Sequence, residues 1–193
     1  MKIISLLDAK SLQPLCYTPQ KVEKVGLLPF LKQDGALKFL VAAPNPKNDK
    51  EALLPFAIAR GTMQMDIDHK GERKTVDVGR WEGEAVILSR ETPEDAAVRE
   101  GEEELGIRKQ DIAQLYDCGV LRFTSATKGA YGIHFFLAEM QETLQLVAPE
   151  ASREVRWIEP REVTRLTKEG VFNSAYVELA RAFVDTINIL LYK

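Results

Sequence analysis

The sequence predicts an α+β fold in which a mixed β-sheet lies between helical layers. Three observations predict it. Apolar stretches of strand length occur in both halves of the chain, an acidic segment between them carries the start and stop signals of a helix, and the last stretch repeats apolar residues at helical spacing. Strands, acidic helix, strands and helix, in that order, suit a sheet covered by helices on its faces. A chain of 193 residues, 45% hydrophobic and 28% charged, can bury one sizeable core, so a single domain over 1–193 is expected.

Residues 1–20, with Pro14 and Pro19, read as an irregular N-terminal arm with no assigned role. Lys24–Leu31 and Leu37–Ala43 read as strands around a Gln33-Asp34-Gly35 turn, with Pro29 confining the first to an edge or a bulge. Pro44–Lys50 is a polar loop, and Leu53–Ala59 reads as the next strand. Met65–Trp81 is charged and turn-rich, with Val76 and Val78 suggesting a hairpin around His69-Lys70-Gly71-Glu72. Asp68 beside His69 reads as turn chemistry, since a metal site needs further convergent ligands. Trp81–Leu88 leads into the acidic helix as a short strand or turn.

That helix is written out from cap to cap. Thr92 is a good N-cap, Pro93 suits the first helical position, Asp95 can reach back to the cap, and Gly106 supplies a left-handed C-terminal residue. At about 100° per residue, Glu100, Glu103 and Glu104 project from one arc, while Ala97, Val98, Gly101 and Leu105 occupy the neighbouring arc and can pack. Gly101 weakens the helix by about 1 kcal/mol relative to alanine, which points to a close neighbouring element. Two carboxylates roughly 6 Å apart repel by about 3 kcal/mol at an effective dielectric near 20, so the cluster is either solvated, partly protonated or clamping a cation. Held in a cleft, such oxygen ligands favour Mg²⁺ or Mn²⁺.

After the helix, Asp117–Phe123 and Tyr131–Ala138 read as strands, with His134 a packed or surface histidine. Arg153–Ile158 is a further strand, and Pro160 opens a short helix. Ser174 can cap the last helix, whose Leu179, Phe183, Ile187 and Leu190 pack against the sheet or a second subunit, so a homodimer is left open.

A net charge of −3 and the absence of a Lys/Arg run set the expectation of no duplex nucleic acid partner. A polyanionic small molecule is compatible, because a bound metal reverses the local charge of an acidic cleft. Cys16 and Cys118 belong to no metal or redox pattern, no run of apolar residues is long enough for a bilayer, and Met1–Asp8 lacks signal-peptide features. The expectation is a cytoplasmic protein with no membrane partner.

Glu91, Arg99-Glu100, Glu103-Glu104 and Gly106-Ile107 have the spacing G-x5-E-x7-R-E-U-x-E-E-x-G-U, with U a bulky aliphatic residue, which resembles the signature of the Nudix hydrolases. Seven of its nine specified positions are met. Gly101 stands at the first U, and Ala85 stands where the leading glycine belongs. The reading adopted is an insertion over about 63–84, with Gly61 as the displaced glycine and Arg60 where many relatives have lysine.

The resemblance implies an α/β/α sandwich and hydrolysis of a nucleoside diphosphate linked to another moiety, a small-molecule substrate. It implies Mg²⁺ or Mn²⁺ held by Glu103 and Glu104, with Glu100 a third ligand or a base. The helical wheel turns Arg99 away from those ligands, and the resemblance makes it an anchor that pairs with Glu91, both grouped with Glu100 as catalytic residues. Arg60 and Gly61 are the substrate-binding candidates, Arg60 through a phosphate contact. No residue outside the motif is legible as a general base. Markers of ADP-ribose and NADH cleavage are absent around Leu121-Arg122-Phe123. A second reading is a catalytically silent Nudix-fold module that senses a nucleotide or binds a protein. Silent members lose motif glutamates, and this chain keeps them.

Overall fold

Two apolar clusters on opposite faces of one mixed sheet organise the molecule. The computed structural model describes residues 3–5, 24–33, 35–46, 55–125, 129–141, 146–172 and 177–191. The strands of the main sheet are β1 (Ile3–Ser5), β2 (Lys24–Gln33), β3 (Ala36–Pro44) and β4 (Ala59–Thr62), followed later by β8 (Ile112–Ser125), β9 (Gly129–Met140) and β10 (Ser152–Ile158). Between them lie β5 (Gln64–His69), β6 (Glu72–Asp77), β7 (Val86–Arg90) and helix α1 (Pro93–Leu105). Helices α2 (Pro160–Lys168) and α3 (Val177–Leu191) end the chain.

The main sheet runs β1-β8-β9-β2-β3-β10, with β4 paired to β2. It is mixed, because β1 is parallel to β8 and β2 parallel to β9 while the other pairs are antiparallel. One face packs on α2 and α3 through Val163, Leu166, Leu179, Phe183 and Ile187. The other packs on α1 through Ala96, Ala97, Val98 and Leu105 against Val25, Leu27 and Phe136. Full burial of a side chain such as Leu105 is worth about 1.5–3 kcal/mol, so α1 is held by tertiary packing more than by its own propensity. This is the expected sheet between helices.

Several local expectations need correction. Residues 3–5 form a strand where an irregular arm was expected, and the rest of that arm lies outside the described residues. Pro29 sits in an interior strand, at the place where β2 exchanges β4 for β3 as its partner, so the ladder on that side is already interrupted. Leu53 and Leu54 are outside the described residues, Phe56 and Ala57 make only isolated bridges, and the regular strand starts at Ala59. Leu179, Phe183 and Ile187 face the sheet as predicted, while Ser174 and the side chain of Leu190 lie outside the described residues.

The segment between Gly61 and Glu91 folds as its own antiparallel sheet, β6-β5-β7. Lys70 and Gly71 both adopt positive φ (57° and 83°) in the predicted two-residue turn, and the Asp68 carboxylate accepts from the Gly71 N–H at 2.8 Å. His69 Nδ1 lies 3.2 Å from the Glu84 carbonyl, and its ring packs edge-on to Trp81. Asp68 and His69 end β5 and lead into this turn, with Asp68 capping it through the Gly71 N–H.

Candidate active site

Helix α1 begins and ends where its capping residues dictate. The Thr92 side chain accepts the Asp95 N–H at 3.1 Å, which is worth about 1 kcal/mol. Gly106 ends the helix at φ 72°, and the Ile107 N–H closes the turn on the Gly101 carbonyl at 3.3 Å. Gly101 explains itself by contact, because a Cβ there would stand 2.7 Å from a Leu27 methyl. The helix presses onto β2 at its middle, and this approach fixes how far the glutamates stand from the sheet.

Gly61 makes the second close approach. A Cβ on it would lie 1.8 Å from the Glu100 carboxyl carbon, so the β4 backbone and this carboxylate share a space that only glycine leaves open. Gly61 is thus brought against the motif helix, and the segment between them loops out as the small sheet and returns. At its base, Glu91 accepts the Gln64 N–H at 2.9 Å and donates its own N–H to the Gln64 carbonyl at 3.0 Å. Beside Glu91, a hollow of about 230 Å³ opens on the insertion, lined in part by Gln64, Asp66, Thr75 and Ser89.

Arg99 joins the carboxylates. Its Nε and Nη2 donate to Glu91 at 2.9 and 3.2 Å, Nη2 also donates to the Thr62 carbonyl at 3.0 Å, and Nη1 donates to Glu100 at 2.8 Å. Nη1 also lies 3.1 Å from a Glu103 oxygen. The pairing with Glu91 is the predicted one. The expectation that Arg99 turns away from the ligand arc is corrected, since positions 99 and 103 are one helical turn apart and the guanidinium is long enough to reach position 100 as well. Burial opposes the guanidinium charge, but Glu91 and Glu100 outweigh that and raise its pKa.

The three other glutamates differ in surroundings. Glu100 is buried, at 7% exposure. Burial pushes its pKa up against the opposing bond from Arg99. Glu104 is half-buried and accepts the Arg60 N–H at 3.1 Å. Burial, opposed by that bond and reinforced by the Glu100 charge, raises its pKa to about 7. Glu103 is exposed. Arg60 meets the site through its backbone, and its side chain is exposed. Sequence reasoning missed the Arg60, Thr62 and Gln64 backbone contacts, which carry no residue-type signal. It also missed the bond from the Ser152 hydroxyl to the Glu104 carbonyl (2.6 Å), which ties α1 to β10.

Chemically, the arrangement is a set of hard oxygen donors with more negative charge than one guanidinium balances. Among the described residues, no three acidic, histidine or cysteine side chains already stand in a ready metal-ligating geometry. The donor chemistry nevertheless fits a divalent cation. Burial raises the pKa of Glu104 to about 7 and pushes that of Glu100 in the same direction, each carboxylate adding to the other's shift or facing further carboxylates, so a cation there would relieve both.

Comparison with known proteins agrees with the fold and the motif. The NUDIX domain matches residues 86–179, and the same fold is found in solved Nudix hydrolases. Residues 86–179 thus carry a Nudix domain, and the chain shares the fold of solved Nudix hydrolases. The C. elegans Ap4A hydrolase in a binary complex is similar at 17% identity and a TM-score of 0.56, over 87% of this chain and 98% of that one. The NUDIX domain of Shewanella oneidensis NrtR, complexed with ADP ribose, is similar at 13% identity and a TM-score of 0.57, over 89% of this chain and 94% of that one. No curated protein matches the chain.

One partner expectation is overturned. Shewanella oneidensis NrtR has also been solved with a 27mer DNA, and it shares this fold at 13% identity and a TM-score of 0.52 over 86% of this chain and 62% of that one. Membership of this fold therefore does not exclude duplex nucleic acid, and net charge, an average over the whole surface, does not exclude a local basic face. No helix among the described residues is long and apolar enough to cross a membrane.

Proposed function

We propose that this chain is a divalent-cation-dependent pyrophosphohydrolase that cleaves a nucleoside diphosphate linked to another moiety. The observation that carries the reading is the pair of mutually repelling carboxylates, buried Glu100 and half-buried Glu104, set against the β4 backbone at Gly61 and Arg60. Glu100, Glu103 and Glu104 would hold Mg²⁺ or Mn²⁺. When bound, such an ion neutralises phosphate oxygens and acidifies a coordinated water.

The chain's own residues supply the rest. Arg99 fixes Glu91, Glu100 and the Thr62 carbonyl in one bonded unit, so the β4 turn and α1 keep a constant separation. Glu91 closes the base of the insertion and acts as an anchor. Gly61 lets Glu100 approach the turn, and the exposed Arg60 side chain would contact a substrate phosphate. The reading treats 1–193 as one domain with an inserted sheet rimming the site, in a cytoplasmic setting. The silent-module alternative lacks a supporting feature, since all four motif glutamates are present.

The test is release of mononucleotide from ADP-ribose, dinucleoside polyphosphates, sugar nucleotides and dNTPs with and without Mg²⁺. Wild type should turn over at least one, and Glu103→Gln and Glu104→Gln should lose that activity. Variants as active as wild type would remove the metal role, and nucleotide binding without any turnover would favour the silent module.

A further inference from the structure

The sheet face that carries Gly61 holds a second polar group of residues. Strand register aligns Gly61 with Val25 and Val25 with His134, so the three stand in one row across β4, β2 and β9. The Cβ direction of Gly61 meets Glu100, Val25 belongs to the α1-side cluster, and the His134 ring stacks on Phe136 of that same cluster. His134 is thus on the α1 face, two strands or about 10 Å from Gly61.

The imidazole is held from two sides. Its Nε2 lies 2.6 Å from Asp117 Oδ1, and its ring lies on Phe136 with centroids 4.8 Å apart and planes within 8°. Asp117 is itself fixed, because a bulge in β8 lets the Gly119 N–H donate to the same oxygen at 2.7 Å, with Gly119 at φ 72°. The next position on this face of β9 is Gly132, which brings no side chain. Nδ1 has no partner among the described residues, and the side chain keeps 19% exposure. A histidine placed only to fill a core needs neither a carboxylate partner nor an accessible edge.

Resting on the proposed nucleotide substrate, the geometry points to His134 as a nucleoside-contacting residue, positioned by Asp117, whose ring face stacks on a base while Nδ1 hydrogen-bonds to it. Charge selects this ligand chemistry. The Asp117 carboxylate beside the ring disfavours an anionic phosphate there, and a flat ring already stacked on Phe136 suits an aromatic base. The separation of about 10 Å from Gly61, which abuts Glu100, suits the far end of a nucleotide whose pyrophosphate lies at the carboxylates.

The experiment compares wild type with His134→Ala, His134→Phe and Asp117→Asn. It measures kcat and KM on whichever panel nucleotide wild type hydrolyses, and binding of AMP, GMP, CMP, UMP and inorganic pyrophosphate by calorimetry. His134→Ala should raise KM and weaken the best-bound monophosphate by about tenfold, with kcat within about twofold and pyrophosphate binding unchanged. His134→Phe should recover part of the loss, because it keeps a ring, and Asp117→Asn should fall between. Unchanged KM and monophosphate binding in His134→Ala would overturn the inference while leaving the hydrolase reading intact. Equal weakening of monophosphate and pyrophosphate would overturn it in favour of a structural role. A wild type that turns over nothing and binds no monophosphate would sink the substrate reading and this inference with it.

Discussion

Replacing Glu104 with glutamine should stabilise the metal-free protein in alkaline solution, the reverse of what loss of a hydrogen-bonded carboxylate usually does. In the folded chain the Glu104 pKa stands at about 7 against an ordinary 4.5, because burial disfavours the charged form. The folded state therefore binds more protons than the unfolded state between those values, and stability falls as pH rises through that window. Well above pH 7 the full gap applies, a cost of about 3 kcal/mol at 1.36 kcal/mol per unit. Near pH 5 less than about 1 kcal/mol of it remains. Urea unfolding of EDTA-treated protein at pH 5 and pH 8 measures the difference. Wild type should lose about 2 to 3 kcal/mol between the two, and Glu104→Gln should lose markedly less and exceed wild type at pH 8. Saturating Mg²⁺ at pH 8 should restore wild type and leave the variant nearly unchanged. Equal pH slopes for both proteins would refute the claim that Glu104 is a buried carboxylate short of positive charge.

The remaining predictions concern the same helix and its supports. Gly61→Ala should push Glu100 out of place, since the new methyl would fall on its carboxyl group, and turnover should fall by about a hundredfold with only a modest drop in melting temperature. Arg99→Ala leaves Glu91 and Glu100 without their shared cation and should cost about 3 kcal/mol in urea unfolding, whereas Arg99→Lys should recover only part of that because it cannot bridge both. Gly106→Ala should cost about 1 to 2 kcal/mol from its left-handed φ alone, and more because the Cβ would meet the Val147 carbonyl at 2.3 Å.

What was legible in the sequence was whatever local chemistry determines. Thr92, Pro93 and Gly106 bound α1 because capping is decided within a few residues, and the Lys70-Gly71 turn follows from the backbone that a two-residue hairpin demands. Gly101 was readable as a close approach because glycine in a helix interior has a cost that needs a reason. The failures are long-range. Nothing near Pro29 in sequence reveals that β2 changes partners there, because β4 lies beyond the whole of β3. The Arg99 network escaped a helical wheel that tracks Cα directions and ignores the reach of a long side chain. His134 is the packed histidine that its strand context suggests, but its pairing with Asp117 across a register that includes a bulge has no local signal. The nucleic-acid expectation failed because a whole-chain charge carries no spatial information.

Titration of Mn²⁺ followed by electron paramagnetic resonance bears most directly on the central claim, because it reports capture of the ion without needing a known substrate. Wild type should remove Mn²⁺ from the free signal in a saturable way, and the combined Glu100→Gln, Glu103→Gln, Glu104→Gln variant, folded by circular dichroism, should not. Equal uptake by both proteins, or none by wild type, would contradict the account.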